Sequence, residues 1–189
     1  MKNMLHIASG IDVMPLVLAI QRNPQLWNQN TQRTQPPGSP HHGLSDIWVR
    51  YSEGDLDPVK EHDSVWYPAY QELPQVREIV FNLMRYVEGE RLGGILITKI
   101  PPGKMCLPHV DTGGWHAGYY DKYAIQLQGN AQQAFCFRDE KFSARPGDIY
   151  WFNNQEEHWV TNDSQEDRMT MIVCIRSARH KNGDKSCLG

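Results

Sequence analysis

The sequence predicts a mainly β protein with flanking helices, a jelly roll closed by antiparallel pairing. Three observations carry this reading. Residues 94–176 read almost entirely as short apolar strands, turns rich in Pro and Gly separate those strands, and helical periodicity is confined to residues 1–90. A chain of 189 residues is long enough for one well-buried core, so one domain is expected over 1–189. Within it, 1–90 supply helical and loop support with one early strand, 94–176 form the double-stranded β-helix, and 179–189 form a polar tail.

In chain order, Ser9-Gly10-Ile11-Asp12 resembles a capping box that opens a short helix through Ile20, with Asp12 placed to satisfy early backbone donors. Residues 31–43 carry Pro36, Pro37, Gly38, Pro40 and Gly43, too punctuated for regular structure and long enough for a functional loop. Asp46 to Tyr51 read as a strand that extends the main sheet. Leu73, Val76, Ile79, Val80, Leu83 and Val87 recur at helical spacing behind Pro74, giving a second helix that covers one sheet face. The core strands then follow as 95–100, 123–127, 134–137, 148–152, 158–161 and 169–175, with turns at Pro101-Pro102-Gly103 and Arg145-Pro146-Gly147-Asp148.

The formal charge of −3 gives no overall positive field, which disfavours a nucleic-acid partner. Met1 to Ser9 show no signal-peptide layout, and the longest apolar run, Met14 to Ile20, is about a third of a membrane span, so a cytoplasmic protein without a membrane anchor is expected. Cys106, Cys136, Cys174 and Cys187 lack CxxC spacing, which speaks against a zinc or disulfide framework.

The chemistry-bearing residues are His109, Asp111, His158 and Arg168. A histidine and a carboxylate two apart on a strand share a face. A further histidine from a distant strand completes two imidazoles and one carboxylate on one side of an iron ion, with positions left open for oxygen and a cosubstrate. His-x-Asp alone is weak, since in a chain with eight histidines one match arises by chance about half the time. Context strengthens it. The pair follows an apolar strand and a Pro-Pro-Gly turn, His158 opens another strand, and Arg168 enters the last apolar strand, where its planar fork would pair with a buried carboxylate of a dicarboxylate.

Together Ile100-Pro101-Pro102-Gly103, His109-Val110-Asp111, Arg145-Pro146-Gly147-Asp148, Phe152-Asn153-Asn154, His158 with Asn162, and Arg168 resemble the 2-oxoglutarate and iron(II)-dependent oxygenases, and most closely their aspartyl/asparaginyl β-hydroxylase-like branch, across residues 46–176. The resemblance implies a cupin-like double-stranded β-helix. It also implies iron(II) on His109, Asp111 and His158, 2-oxoglutarate on Arg168 with Asn153 near the site, O2 as co-reactant, and hydroxylation of a C–H bond in an amino-acid, peptide or protein side chain. One departure is Asp111 itself: the namesake enzymes look as if they lack the acidic ligand, so their substrate transfers poorly.

Bland alternatives stand beside each residue. Asp111 could cap the turn at Thr112-Gly113-Gly114, His158 could be a satisfied strand-end histidine, and Arg168 could pair with Asp163 or Glu166 at the surface. His116, Arg50 and His41 are weaker substrate-contact candidates. Trp115, Tyr119, Tyr120 and Tyr123 could line a pocket or fill core. Two other functions compete: a cupin-like metal enzyme without 2-oxoglutarate, which needs no arginine at 168, and a non-catalytic module binding a peptide through the Pro-rich loop. Oligomeric state is not legible in the sequence.

Overall fold

The computed structural model describes residues 2–53, 60–111 and 115–177. The expected tail, the Thr112-Gly113-Gly114 turn, Cys187 and the side chain of Trp115 lie outside the described residues. The elements in chain order are β1 (Met4–Ala8), α1 (Met14–Arg22), β2 (Ser45–Tyr51), β3 (Val65–Trp66), α2 (Ala69–Glu72), α3 (Gln75–Tyr86), β4 (Gly89–Ile100), β5 (Met105–His109), α4 (Trp115–Tyr119), β6 (Asp121–Gln128), β7 (Gln133–Phe137), β8 (Lys141–Phe142), β9 (Ile149–Phe152), β10 (His158–Asn162) and β11 (Arg168–Ser177). Two antiparallel sheets result, a seven-stranded one ordered β1-β9-β6-β11-β4-β2-β3 and a four-stranded one ordered β5-β10-β7-β8. This is the expected mainly β jelly roll with flanking helices. Among the described residues no helix is long and apolar enough to cross a membrane.

The period of two in the central strands sorts residues onto two unlike faces. Ile95 and Ile97 of β4, Tyr123, Ile125 and Leu127 of β6, and Met169, Met171, Val173 and Ile175 of β11 join Leu16, Val17 and Ile20 of α1 and Val76, Ile79, Val80 and Leu83 of α3 in one apolar core. The alternate positions, Leu96, Thr98, Ile100, Lys122, Arg168, Thr170, Ile172 and Cys174, face a cavity between the sheets. Tyr123 therefore belongs to the core rather than to a pocket.

Local chemistry accounts for most boundaries and for some departures. Asp12 does satisfy an early donor, accepting the Met14 N–H at 3.1 Å. Ser9 is not part of a capping box, because its hydroxyl sits 2.7 Å from His6 Nε2. α1 continues past Ile20 to Arg22, and Pro74 stands just before α3 instead of inside its first turn. β1 was not foreseen; it adds to the sheet edge by pairing with β9.

The two turns behave as their residues require. Gly147 has φ +86, and a Cβ there would fall 2.5 Å from the Ile11 carbonyl oxygen, so the Pro146-Gly147 corner admits no side chain. In the first turn the Gly103 N–H donates to the Asn162 carbonyl at 2.9 Å, while Asn162 Nδ2 donates to the carbonyls of Ile100 and Glu166. Asn162, fully buried, thereby ties the end of β4 to the start of β11 and sets where Arg168 enters the sheet.

Candidate metal centre and its cavity

His109 and His158 are direct cross-strand partners in the β5–β10 pair, so their side chains project to the same side. Sequence separation hides this; register creates it. β5 ends at His109, so Asp111 is not on a strand with it, as the His-x-Asp spacing suggests. The Asp111 N–H instead donates to the Asn154 carbonyl at 3.0 Å, which turns the carboxylate back toward the two imidazoles. Asp111 Oδ1 lies 3.6 Å from His109 Nε2 and Oδ2 lies 3.9 Å from His158 Nε2. One ligand atom from each of the three residues falls within 4.8 Å of the others.

Both histidines are oriented by the same device. His109 Nδ1 is 2.7 Å from the Leu107 carbonyl and His158 Nδ1 is 2.8 Å from the Glu156 carbonyl. A carbonyl only accepts, so each Nδ1 carries the proton and each Nε2 presents its lone pair to the gap beside Asp111. Burial holds the His158 pKa down to about 4, keeping the imidazole neutral. Burial alone would raise the Asp111 carboxyl, but Lys122 Nζ, 2.5 Å from Oδ2, outweighs it and leaves the group below its ordinary range. Two imidazoles and one carboxylate are a donor set that fits iron(II). Asp111 and His158 thus face each other across one gap, while the Thr112-Gly113-Gly114 turn of the turn-cap alternative lies outside the described residues.

A second cluster, His41, Cys106 and His109, also brings metal-ligating atoms together, but its lone pairs are committed. Arg33 Nη2 donates to His41 Nε2 at 2.8 Å, so His41 carries its proton on Nδ1, which faces the Cys106 sulfur at 3.3 Å. Burial pushes the Cys106 thiol up to about 12, and His109 Nδ1 is bonded to Leu107. The cluster is a hydrogen-bonded wall of the cavity.

The cavity, of about 150 Å³, is lined both by the three candidate ligands and by Arg168. Arg168 is only 5% exposed. Its Nη1 donates to Thr170 Oγ1 at 2.6 Å and its Nη2 to Gln126 Oε1 at 2.9 Å, both neutral acceptors. No carboxylate pairs with it among the described residues, so the surface salt-bridge alternative with Asp163 or Glu166 does not hold. Burial lowers its pKa to about 10, which still leaves the guanidinium charged at neutral pH.

The remaining candidates divide. His41, from the Pro-rich loop, lines the cavity with its ring 5.2 Å from that of His109. His116 on α4 also lines it, 3.3 Å from Ser64 Oγ, with a pKa lowered to about 4 by burial and by neighbouring His62. Arg50 does not reach in. The β2–β4 register shifts between Trp48 and Arg50, so Arg50 lies over Trp66 and donates to the Leu92 carbonyl, while Tyr51 takes the cavity position. Asn153 is also not brought to the cavity: its N–H and Nδ2 donate to Asn3, fastening β9 to the chain before β1. Tyr119 and Tyr120 pack on each other outside the cavity lining.

Sequence reasoning missed Lys122, Arg33, Gln126, Thr170 and Cys106. Lys122 and Thr170 carried a usable signal, since each is a polar residue at the alternate position of a strand whose other face is dominated by apolar residues. Arg33 had none; its place depends on the path of the loop and on Asp46, which accepts Arg33 Nη1 at 3.0 Å.

The sequence matches the family described as Aspartyl/Asparaginyl beta-hydroxylase over residues 23–177. No curated protein sequence matches. Among solved structures, the carbocyclase SnoK of nogalamycin biosynthesis, described as non-heme and alpha-ketoglutarate dependent, is similar at 15% identity and TM-score 0.62, over 93% of this chain and 80% of that one. A 2OG-Fe(II) oxygenase family oxidoreductase from Burkholderia pseudomallei is similar at 12% identity and TM-score 0.60, over 93% and 86%. A prolyl hydroxylase from Trichoplax adhaerens, in complex with a hypoxia inducible factor peptide, is similar at 11% identity and TM-score 0.56, over 93% and 83%. At these identities the likeness concerns the fold.

Proposed function

Because the chain belongs to the aspartyl/asparaginyl β-hydroxylase family, we propose that it is an iron(II)- and 2-oxoglutarate-dependent oxygenase that hydroxylates a C–H bond of an amino-acid, peptide or protein side chain. The observation that carries this reading is Arg168, a buried cation lining the cavity whose hydrogen bonds among the described residues go to neutral groups. A cupin-like enzyme working on its substrate alone gives that residue no task. A dicarboxylate chelating the metal at one end and reaching Arg168 at the other does.

His109, Asp111 and His158 are the residues that would hold iron(II), and Arg168 would hold the distal carboxylate of 2-oxoglutarate. Bound there, the metal and cosubstrate supply the oxidation of 2-oxoglutarate to succinate and carbon dioxide by O2, coupled to insertion of oxygen into a C–H bond. The chain's own part is orientation and shielding. The Leu107 and Glu156 carbonyls fix the imidazole tautomers, and Thr170 and Gln126 hold the Arg168 fork in one plane. Ile100, Phe135, Phe152, Val160 and Ile172 keep the rest of the cavity apolar and exclude water. A peptide or protein as substrate is supported by the family's description and by the peptide-bound Trichoplax adhaerens structure.

The test is succinate production by iron-loaded protein with and without 2-oxoglutarate, beside His109→Ala. Iron-dependent succinate that disappears in the variant supports the proposal; equal succinate from the variant would overturn it.

A further inference from the structure

Three cations and a single carboxylate line this cavity among the described residues: Arg33, Lys122, Arg168 and Asp111. Asp46, 1% exposed, lies behind Arg33 and neutralises it through a 3.0 Å contact. Lys122 is neutralised by Asp111 at 2.5 Å, with the ammonium side chain 18% exposed and that exposure opening on the cavity.

Resting on the oxygenase reading, the charge balance of the loaded site then follows. Arg168 is matched by one carboxylate of 2-oxoglutarate. A divalent ion is matched by Asp111 and by the other carboxylate of 2-oxoglutarate. Arg33 keeps Asp46. Lys122 is left without a counter-charge, because the carboxylate that balanced it now balances the metal; retaining its hydrogen bond to Asp111 Oδ2 does not change that sum. An uncompensated ammonium in a cavity walled by Leu96, Phe152 and Ile172 is costly.

We propose that Lys122 is the recognition site for an anionic group of the primary substrate, and that this group is a carboxylate lying beside the metal. Tyr51 shares the spot: its ring lines the same cavity, and it lies close enough to interact electrostatically with both Lys122 and Arg33. Its hydroxyl is suited to donate to the second carboxylate oxygen. Because Lys122 touches Asp111, the carboxylate so held sits within a few bonds of the carbon presented to the metal. The substrate class is therefore a carboxylate-bearing molecule or side chain, in preference to a neutral peptide side chain.

The experiment is a calorimetric titration with acetate, and with its neutral isostere acetamide, of anaerobic protein preloaded with iron(II) and 2-oxoglutarate. The loaded wild type is expected to bind acetate about tenfold more tightly than acetamide, and about tenfold more tightly than metal-free protein does. Lys122→Met should lose that preference and Lys122→Arg should keep it, while circular dichroism and the iron titration report whether each variant is folded. Equal binding of acetate and acetamide, or acetate binding unchanged in Lys122→Met, would overturn the assignment of Lys122. Failure of the wild type to take up iron and 2-oxoglutarate in the loading titrations would overturn the oxygenase reading, and this inference with it.

Discussion

The two faces of the seven-stranded sheet are built from the same strands and serve different ends. Toward α1 and α3, β11 presents Met169, Met171, Val173 and Ile175, and β6 presents Tyr123, Ile125 and Leu127, all at most 4% exposed. Toward the cavity the same strands present Arg168, Thr170, Ile172 and Cys174, and Lys122, Ala124 and Gln126. The first face stabilises the fold by burying apolar area at about 25 cal/mol per Å². The second gives up part of that gain to hold charges out of water. Buried cations that contribute little to folding are what a binding site requires, and their confinement to one face indicates where chemistry is kept apart from stability.

Substitutions on the two faces should therefore fail in different ways. The largest effect is expected for Asp111→Ala, which removes one of three ligands. Iron affinity should fall by roughly 100-fold or more and coupled succinate formation with it, measured by metal titration and turnover; wild-type iron binding in this variant would make Asp111 a turn residue. On the opposite face, Met171→Ala should cost about 2–5 kcal/mol, read as a lowered urea midpoint, while the protein that remains folded binds metal normally.

Acid should act through the cavity face. His158 and His116 have folded-state pKa values of about 4, depressed from about 6.5 in the unfolded chain. The unfolded state thus binds protons first, and stability present at pH 7 is lost as pH falls from about 6.5 through 4. Metal-free protein should show this loss in thermal melts, and His158→Gln should reduce it. The smallest effect is a gain. Lys122→Met removes a positive charge beside a metal-ligating carboxylate, so manganese(II) affinity should rise about tenfold, or about 1.4 kcal/mol; a decrease would show that Lys122 aids the metal centre rather than competing for its carboxylate.

How much of this was legible in the sequence follows from the same contrast. Strands whose faces alternate cleanly, such as 95–100 and 169–175, were readable because periodicity is a local property. His109, Asp111, His158 and Arg168 were readable because a spaced pattern of chemically distinctive residues stands out against apolar strands. Arg50 and Asn153 were misplaced for local reasons: a register shift in β2 turns Arg50 outward, and Asn153 is held by Asn3 of a terminal segment that no motif marked as part of the sheet. The Lys122–Asp111 and Arg33–His41 contacts join residues whose proximity depends on strand register and loop path, which spacing does not encode.

The central claim is that Arg168, buried and without a carboxylate partner among the described residues, is there to bind one. The most direct test is the dependence of succinate formation on 2-oxoglutarate concentration for wild type and Arg168→Met. The account predicts a KM for 2-oxoglutarate raised by about 10–100-fold with iron binding retained and the urea midpoint not lowered, since the variant replaces an uncompensated buried charge with an apolar side chain. An unchanged KM together with a destabilised fold would contradict it and make Arg168 a structural residue.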